Sequence, residues 1–401
     1  MVKQGFKQTE VGIIPEDWSL IKLEEFTNKI GSGITPRGGS TVYKDYGRPF
    51  VRSQNIGWGH LLLNEIRFID DEIHLTFPNT EIKLNDVFLN ISGASIGRSS
   101  FAKSVLIGGN VNQHVCIIRC NSHKLHYLYL NKILLSKIGQ KQIDSFQSGG
   151  NREGLNIGQI RTFQIPLPPT LTEQKVIATS LSDVDELINS LDNLITKKEA
   201  IKQGVMQQLL TPPHKGGKRL PGVSGEWVEK TLGECLKYEQ PTKYIVKSSD
   251  YKGQSQTPVL TAGKTFLLGY TDEEFGVFEN YPVIIFDDFT TSKQFVDFSF
   301  KVKSSAMKLL KPISNDIDIN FMFSIMNLIR FSLGDDHKRR WITEFSKIVI
   351  HLPEINEQLA ISGIIIDMDN ELKKMKQNLA KYQSIKQGMM QELLTGKTRL
   401  I

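Results

Sequence analysis

A handful of short stretches in this 401-residue chain carry residue types that chemistry uses, and each lacks a part. Ala262-Gly263-Lys264-Thr265 has the Gly-Lys-Thr end of a phosphate-cradling loop. Such a loop needs a glycine five positions before Gly263, where the backbone must approach a phosphate, and Pro258 stands there. Gly31-Ser32-Gly33 begins like a dinucleotide fingerprint, but its third glycine position is Pro36. His114, Cys116, Cys120 and His123 offer nitrogen and sulfur donors in a spacing that fits no zinc pattern, around a run, 115–118, that reads as a strand. Asp287-Asp288 follows an apolar strand, as some nuclease carboxylates do, without an accompanying lysine motif. Leu167-Pro168-Pro169 and Thr211-Pro212-Pro213 lack the residues that amino-methylating enzymes carry on either side of Pro-Pro. No Ser-His-Asp or paired-carboxylate set is legible. The chain reads as a binder and not an enzyme, with no catalytic residue, no metal site and no cofactor of its own.

Bulk properties bound the reading further. The length allows two or three domains, and 39% hydrophobic with 23% charged residues is ordinary for a globular chain. A net charge of +6 permits a nucleic-acid partner without arguing for one. No run of about 18 apolar residues suggests a membrane span. The start, Met1-Val2-Lys3-Gln4-Gly5, does not read as a signal peptide. Three cysteines, Cys116, Cys120 and Cys235, are too few and too scattered for a disulfide framework, so a cytoplasmic protein is expected.

The elements that must position any site are written twice. Shifted by 184, residues 173–211 fall on 357–395 without a gap, and 15 of the 39 positions are identical. Glu173-Gln174 lands on Glu357-Gln358, and the last part, Ile201-Lys202-Gln203-Gly204 to Leu209-Leu210-Thr211, is nearly a copy of Ile385-Lys386-Gln387-Gly388 to Leu393-Leu394-Thr395. Both copies step by three and four. Leu181, Val184, Ile188, Leu191, Ile195, Lys198, Lys202, Val205 and Leu209 form one stripe; Ile365, Met368, Leu372, Met375, Leu379, Tyr382, Lys386, Met389 and Leu393 form the other. Such a seam predicts two long helices packed lengthwise as a coiled coil. Thr172 after Pro168-Pro169 is a plausible start, and Pro212-Pro213 and Gly396 are stops. Lys198 and Lys202 make the first seam polar, and there either the pairing loosens or a partner subunit takes over the contact. Gly204 and Gly388 sit at matching places, which either a close helix crossing or chance would account for.

Each copy is preceded by the same opening: Trp18 with Leu23 and Glu25, and Trp227 with Leu232 and Glu234. Between opening and helix the halves share no convincing sequence similarity. Gly-rich turns and short apolar runs at 87–91, 115–118 and 283–286, with a helical segment near 320–331, read as two small α+β modules. The stretch 212–225, holding His214-Lys215-Gly216-Gly217-Lys218-Arg219, reads as a solvated linker. The expected architecture is α+β, with recognition modules at 1–165 and 214–350 separated by antiparallel coiled-coil helices at 166–213 and 351–401.

Pro15-Glu16-Asp17-Trp18, Leu167-Pro168-Pro169 with Glu173-Gln174, and Leu209-Leu210-Thr211, followed by a second round with Leu352-Pro353, Glu357-Gln358 and Gly396-Lys397, resemble the DNA specificity (S) subunit of type I restriction-modification systems. The resemblance covers nearly the whole chain. Ser92-Gly93-Ala94-Ser95-Ile96-Gly97, Asn112-Gln113-His114 and His337-Lys338-Arg339-Arg340-Trp341 are similar to stretches in recognition domains of that family. The resemblance implies two target recognition domains reading one half each of a split double-stranded DNA site. It implies a chain without catalytic activity that docks two methyltransferase subunits, which use S-adenosylmethionine, and restriction subunits, which use ATP and Mg. Two other readings stay open: a stand-alone DNA methyltransferase or nuclease with its own reader, and a two-lobed scaffold for protein partners.

Direct readout calls for Arg, Lys, Asn, Gln, Ser or Thr on turns held by a rigid scaffold. In the first module these are Arg52, Ser53, Gln54, Asn55, Ser95, Arg98, Asn112, Gln113 and Arg152. In the second they are Thr261, Lys264, Thr290, Thr291, Lys293, His337, Lys338, Arg339 and Arg340, the last four as a basic run suited to phosphate. The modest charge suggests weak, strongly salt-dependent DNA binding by the isolated chain.

Overall fold

The computed structural model describes residues 4–147, 154–248, 250–251, 256–261, 265–331 and 339–401. The chain divides into two compact units, one formed by residues 1–192 and 378–401 and the other by residues 193–377. The boundaries expected from sequence fall at the ends of the long helices. Packing instead divides each long helix near its middle.

The two helices are Leu171–Leu209 and Ile355–Leu393, 39 residues each and offset by the same 184 positions as the sequence repeat. Thr170 starts the first, its Oγ1 accepting the Glu173 N–H at 3.2 Å. Gly396, at φ +67°, closes the second. Every residue of both predicted stripes is buried or half-buried, and the residues between them are mostly exposed. Leu181, Ile195, Leu209, Ile365, Leu372 and Leu393 are the most enclosed, at 0–8% exposure. Lys198 and Lys202 do not loosen the stripe. Lys198 pairs with Glu371 at 2.8 Å and Lys202 with Asp369, both on the facing helix. The order of these pairs makes the helices antiparallel in the second unit. In the first unit Asp185 holds both Lys132 and Lys386. Burial pushes its carboxyl up, but the two ammonium groups outweigh burial and keep it below the usual range. A Cβ added at Gly204 or Gly388 would meet nothing within 4 Å, so no close crossing explains either glycine.

The modules share a topology that their sequences conceal. In the first, strands Thr27–Ser32, Val115–Cys120, Val87–Asn90 and Ser99–Phe101 lie in that order in an antiparallel sheet. In the second, Leu236–Glu239, Met307–Pro312, Val283–Asp287 and Lys293–Val296 do the same. Each module adds a three-stranded sheet with one parallel pair: Arg48–Val51 with Asn110–Val111, and Thr257–Leu260 with Lys301–Val302. Each is closed by a two-strand neck, Ser19–Lys22 with Gln164–Leu167 and Val228–Thr231 with Val349–Leu352. The central strands are buried on both faces. Val87 and Leu89 point into one core cluster and Phe88 into the other. Full burial of such side chains contributes roughly 1.5–3 kcal/mol each. Among the described residues no helix is long and apolar enough to cross a membrane.

The Glu-Gln pair at each helix start ties this scaffold together. Gln174 accepts the His126 N–H at 2.9 Å and donates to the Lys124 carbonyl, fixing the start of helix Tyr127–Leu135. Gln358 accepts the Asp318 N–H at 2.8 Å and donates to the Asp316 and Pro353 carbonyls, fixing the start of Ile319–Leu328. Glu173, 1% exposed, receives Arg399 Nη2 at 2.8 Å, and the same guanidinium reaches Asp17. Glu357, also 1% exposed, receives Arg219 Nη2 at 2.7 Å and Nε at 3.2 Å. The stretch around 212–219 is therefore no loose linker. Lys218 N–H bonds back to the Gln208 carbonyl at 2.8 Å, and Arg219 is locked on a buried carboxylate.

Candidate nucleic-acid interface

In the first unit, three strand ends bring polar turns to one edge. Strand Arg48–Val51 leads through Arg52 into a 3-10 turn, Ser53–Asn55. Strand Val87–Asn90 leads through Ser92 into Gly93–Ser95 and returns as Ser99–Phe101. Strand Asn110–Val111 leads through Asn112-Gln113-His114 into Val115–Cys120. Backbone bonds lock these turns together: Asn112 N–H to the Val51 carbonyl at 2.9 Å, and Ile91 N–H to the His114 carbonyl at 3.0 Å. Asn90 Nδ2 donates to the Ser53 carbonyl at 2.8 Å. Gly33 lets the strands close up, since a Cβ there would sit 1.9 Å from the Val111 carbonyl oxygen.

The result is an open concavity of about 480 Å³ walled by Ser53, Gln54, Ser92, Gly93, Ala94, Ser95, Arg98 and His114. Gln54 and Gln113 are exposed; Ser53, Ser95 and Arg98 are half-buried. The Arg98 side chain has no hydrogen-bond or ion-pair partner among the described residues. This set offers amide, hydroxyl and guanidinium groups, the types that read base edges.

Other residues expected here serve the turns themselves. Asn55 is 1% exposed; it accepts the Arg52 N–H at 3.0 Å and donates to the Leu62 carbonyl at 2.9 Å. Asn112 is 7% exposed and accepts the His114 N–H at 3.2 Å. Arg52 donates to the Glu65 carbonyl at 2.9 Å and stands over the Tyr43 ring. Arg152 lies outside the described residues.

His114, which follows the expected Asn112 and Gln113, also lies here. Its ring is exposed on the same wall, with Nδ1 2.6 Å from Ser92 Oγ and Nε2 3.3 Å from Gln113 Nε2. Its place directly after Asn112-Gln113 was the available signal.

The second unit presents a different turn on the matching strand pair. After strand Val283–Asp287, the Asp287 carboxylate accepts the Phe289 and Thr290 N–H groups at 2.7 and 3.0 Å. Thr291 closes the turn at φ +58° and is buried. Phe289 and Thr290 are exposed at the tip. Asp287-Asp288 is thus structural: Asp288, 2% exposed, accepts the Trp341 N–H at 3.0 Å and pairs with buried Lys308 at 3.2 Å.

Two expected readers point inward. Lys293 donates to the Met326 carbonyl at 2.6 Å, and burial lowers its pKa. Arg340, 4% exposed, pairs with Glu344 at 3.3 Å beside buried Trp341. Lys293 Nζ stands over the Phe345 ring and the Arg340 guanidinium over the Phe331 ring, burial that sequence polarity could not reveal. Arg339 is exposed, and Thr261 is half-buried with its N–H on the Phe266 carbonyl. Lys264, His337 and Lys338 lie outside the described residues.

A family model described as "Type I restriction modification DNA specificity domain" matches residues 15–203 and again 224–382. The specificity subunit of the Escherichia coli type I restriction enzyme EcoR124I/EcoR124II is 48% identical over 156 residues, which span 37% of this chain and 38% of that protein. The putative type I restriction enzyme MjaX specificity subunit of Methanocaldococcus jannaschii is 26% identical over 430 residues, covering 99% of this chain and 97% of that protein. The crystal structure of a type I restriction-modification S subunit from M. genitalium matches with a TM-score of 0.64 at 15% identity, over 98% of this chain and 97% of that chain. At that identity the last match speaks for the fold.

Proposed function

The chain belongs to the type I restriction modification DNA specificity family, and from that premise we propose that it is the sequence-reading subunit of a type I complex. Each unit reads one half of a split double-stranded DNA target. The observation that carries this reading is the duplication itself: one scaffold, built twice on helices of equal length, with turns of different chemistry at the matching edge. In the first unit Gln54, Ser95, Arg98, Gln113 and His114 supply base contacts; in the second Thr290 and Arg339 face the duplex. A family match to a DNA specificity domain in both halves favours this over a stand-alone enzyme or a protein scaffold.

The chain itself makes and breaks no bond. Methyltransferase subunits, two per chain, and restriction subunits dock on it and carry S-adenosylmethionine, ATP and Mg. The complex works in the cytoplasm. The long helices set the gap between half-sites, because helix length is quantised at about 1.5 Å per residue.

The test is to insert one heptad into both helices, after Asp192 and after Gln377, keeping the seam in phase. Methylation mapping of host DNA should show both half-sites unchanged and a gap lengthened by roughly one to three base pairs. A changed half-site with an unchanged gap would overturn the reading.

A further inference from the structure

All four tryptophans of the chain lie among the described residues, and three of them, Trp18, Trp227 and Trp341, are buried at 0–9% exposure. Trp58 is 53% exposed. Its side chain has no hydrogen-bond, ring or cation partner among the described residues. One exposed apolar side chain is ordinary on a protein surface. The mounting of this one, and its neighbours, single it out.

Trp58 stands at the tip of a short hairpin in which Ile56 and Leu61 bridge antiparallel. Gly57 N–H bonds to the His60 carbonyl at 2.9 Å, and Leu62 N–H to the Asn55 carbonyl at 2.8 Å. From the tip, Gly59 N–H bonds to the Ser99 carbonyl at 2.9 Å. Gly59 sits at φ +87°, and a Cβ added there would lie 3.3 Å from Leu135, so the tip needs this glycine to close on the sheet. The ring is thus carried on a hairpin fastened at its base and at its tip. Tryptophan then adds a large contact area with only two side-chain torsions to fix.

The same bonds place the hairpin among the reading turns. It follows directly on the Ser53–Asn55 turn, and Ser99 directly follows Arg98. Across the Gly59–Ser99 bond, the Trp58 and Arg98 Cα atoms are at most about 12 Å apart by standard backbone dimensions. No Asp or Glu occurs from Arg52 to Asn64 or from Val87 to Ile143, so these segments carry no carboxylate to repel a phosphate-lined groove.

We propose that Trp58 is a specificity-determining residue of the first unit, whose ring packs on the 5-methyl group of a thymine in the major groove. This rests on the DNA reading proposed for that edge and adds an apolar reader to its polar ones. The amides, hydroxyls and guanidinium of the edge meet donors and acceptors on bases. The thymine methyl is the apolar feature that base edges expose in the same groove. Base faces are shut inside the stack, and opening it is costly; contact with a methyl needs no opening. The half-site that Arg98 reads therefore holds a thymine that the protein tells from uracil.

The test measures binding of a labelled duplex, carrying the mapped target, by the chain assembled with its methyltransferase subunits. Each thymine of the target is replaced in turn by deoxyuridine, which removes the methyl and keeps the base pair. One replacement, in the half-site where Arg98→Ala relaxes methylation, should weaken binding about fourfold, as for loss of one buried methyl. Trp58→Ala should weaken binding to the native duplex at least as much and be indifferent to that uridine, with urea unfolding unchanged. Trp58→Phe should keep part of the sensitivity. A chain unmoved by every uridine, or a Trp58→Ala variant as sensitive as the unsubstituted chain, would overturn the proposal. So would loss of assembly in Trp58→Ala, which would make the ring a protein contact. If the uridines are silent while Arg98→Ala still relaxes the target, the specificity reading stands without Trp58. If Arg98→Ala is silent too, the reading edge falls with it.

Discussion

The Glu-Gln pair at the start of each long helix makes the same bonds in both units, whereas the turns that leave the matching strands make different ones. Gln174 and Gln358 each fasten the backbone ahead of a short helix, and Glu173 and Glu357 each hold an arginine. At the sheet edge the likeness ends. The first unit turns on Gly93–Ser95 and leaves Arg98 without a partner among the described residues; the second turns on an Asp287 cap with Thr291 at φ +58° and folds Lys293 inward. Side chains that satisfy buried backbone groups cannot drift without cost, because an unmet buried donor or acceptor is expensive. Side chains at an exposed turn carry no such penalty and are free to diverge.

Four measurements break or sharpen this comparison. The largest effect belongs to the shared carboxylates. Glu173→Ala and Glu357→Ala should each destabilise the full chain by about 3 kcal/mol in urea unfolding, since each removes a buried carboxylate together with its charge-assisted bonds to an arginine. Unequal losses would show that the two clasps are alike only in geometry. Next comes the seam: Ile195→Asp, at a position 5% exposed, should cost about 2 kcal/mol, while Leu194→Asp beside it, 45% exposed, should cost under about 0.5 kcal/mol. Similar losses for both would remove the coiled-coil account.

The reading turns should respond in specificity instead. Arg98→Ala should lower discrimination at one position of one half-site by about 1–3 kcal/mol, seen as relaxed methylation there, with unfolding unchanged. Lys293→Ala should do the reverse, costing about 1 kcal/mol of stability and leaving the target intact. The smallest effect is at the helix glycines. Gly204→Ala and Gly388→Ala, whose new methyl groups meet nothing, should stabilise by up to about 1 kcal/mol each. If either variant instead failed to assemble with methyltransferase subunits, the open space would prove to be a partner's.

What sequence revealed was whatever has a period. The helices, their seam and their equal offset follow from apolar spacing, and the strands at 87–90 and 115–120 from unbroken apolar runs. The likeness of the two sheets was hidden because short strands need only be apolar, and many sequences satisfy that. Individual readers were the least legible. Asn55 and Asn112 look like base readers by type, but both ends of the Asn55 amide bond within its own turn, and the Asn112 carbonyl oxygen accepts the His114 N–H. Arg340 looks exposed beside other basic residues, but Trp341 draws it into the core. Polarity announces hydrogen bonding without saying with whom.

One feature of the first unit bears on how the protein is made. Its core is built from residues 1–192 together with 378–401, and it includes Leu393 and Leu394, while Gly396 packs on Trp18 and Arg399 reaches Glu173. The second unit is one continuous stretch, 193–377. During synthesis the module that leaves the ribosome first is therefore the last to be finished. It waits with an open apolar face until residues 378–401 arrive, and the later module can close ahead of it.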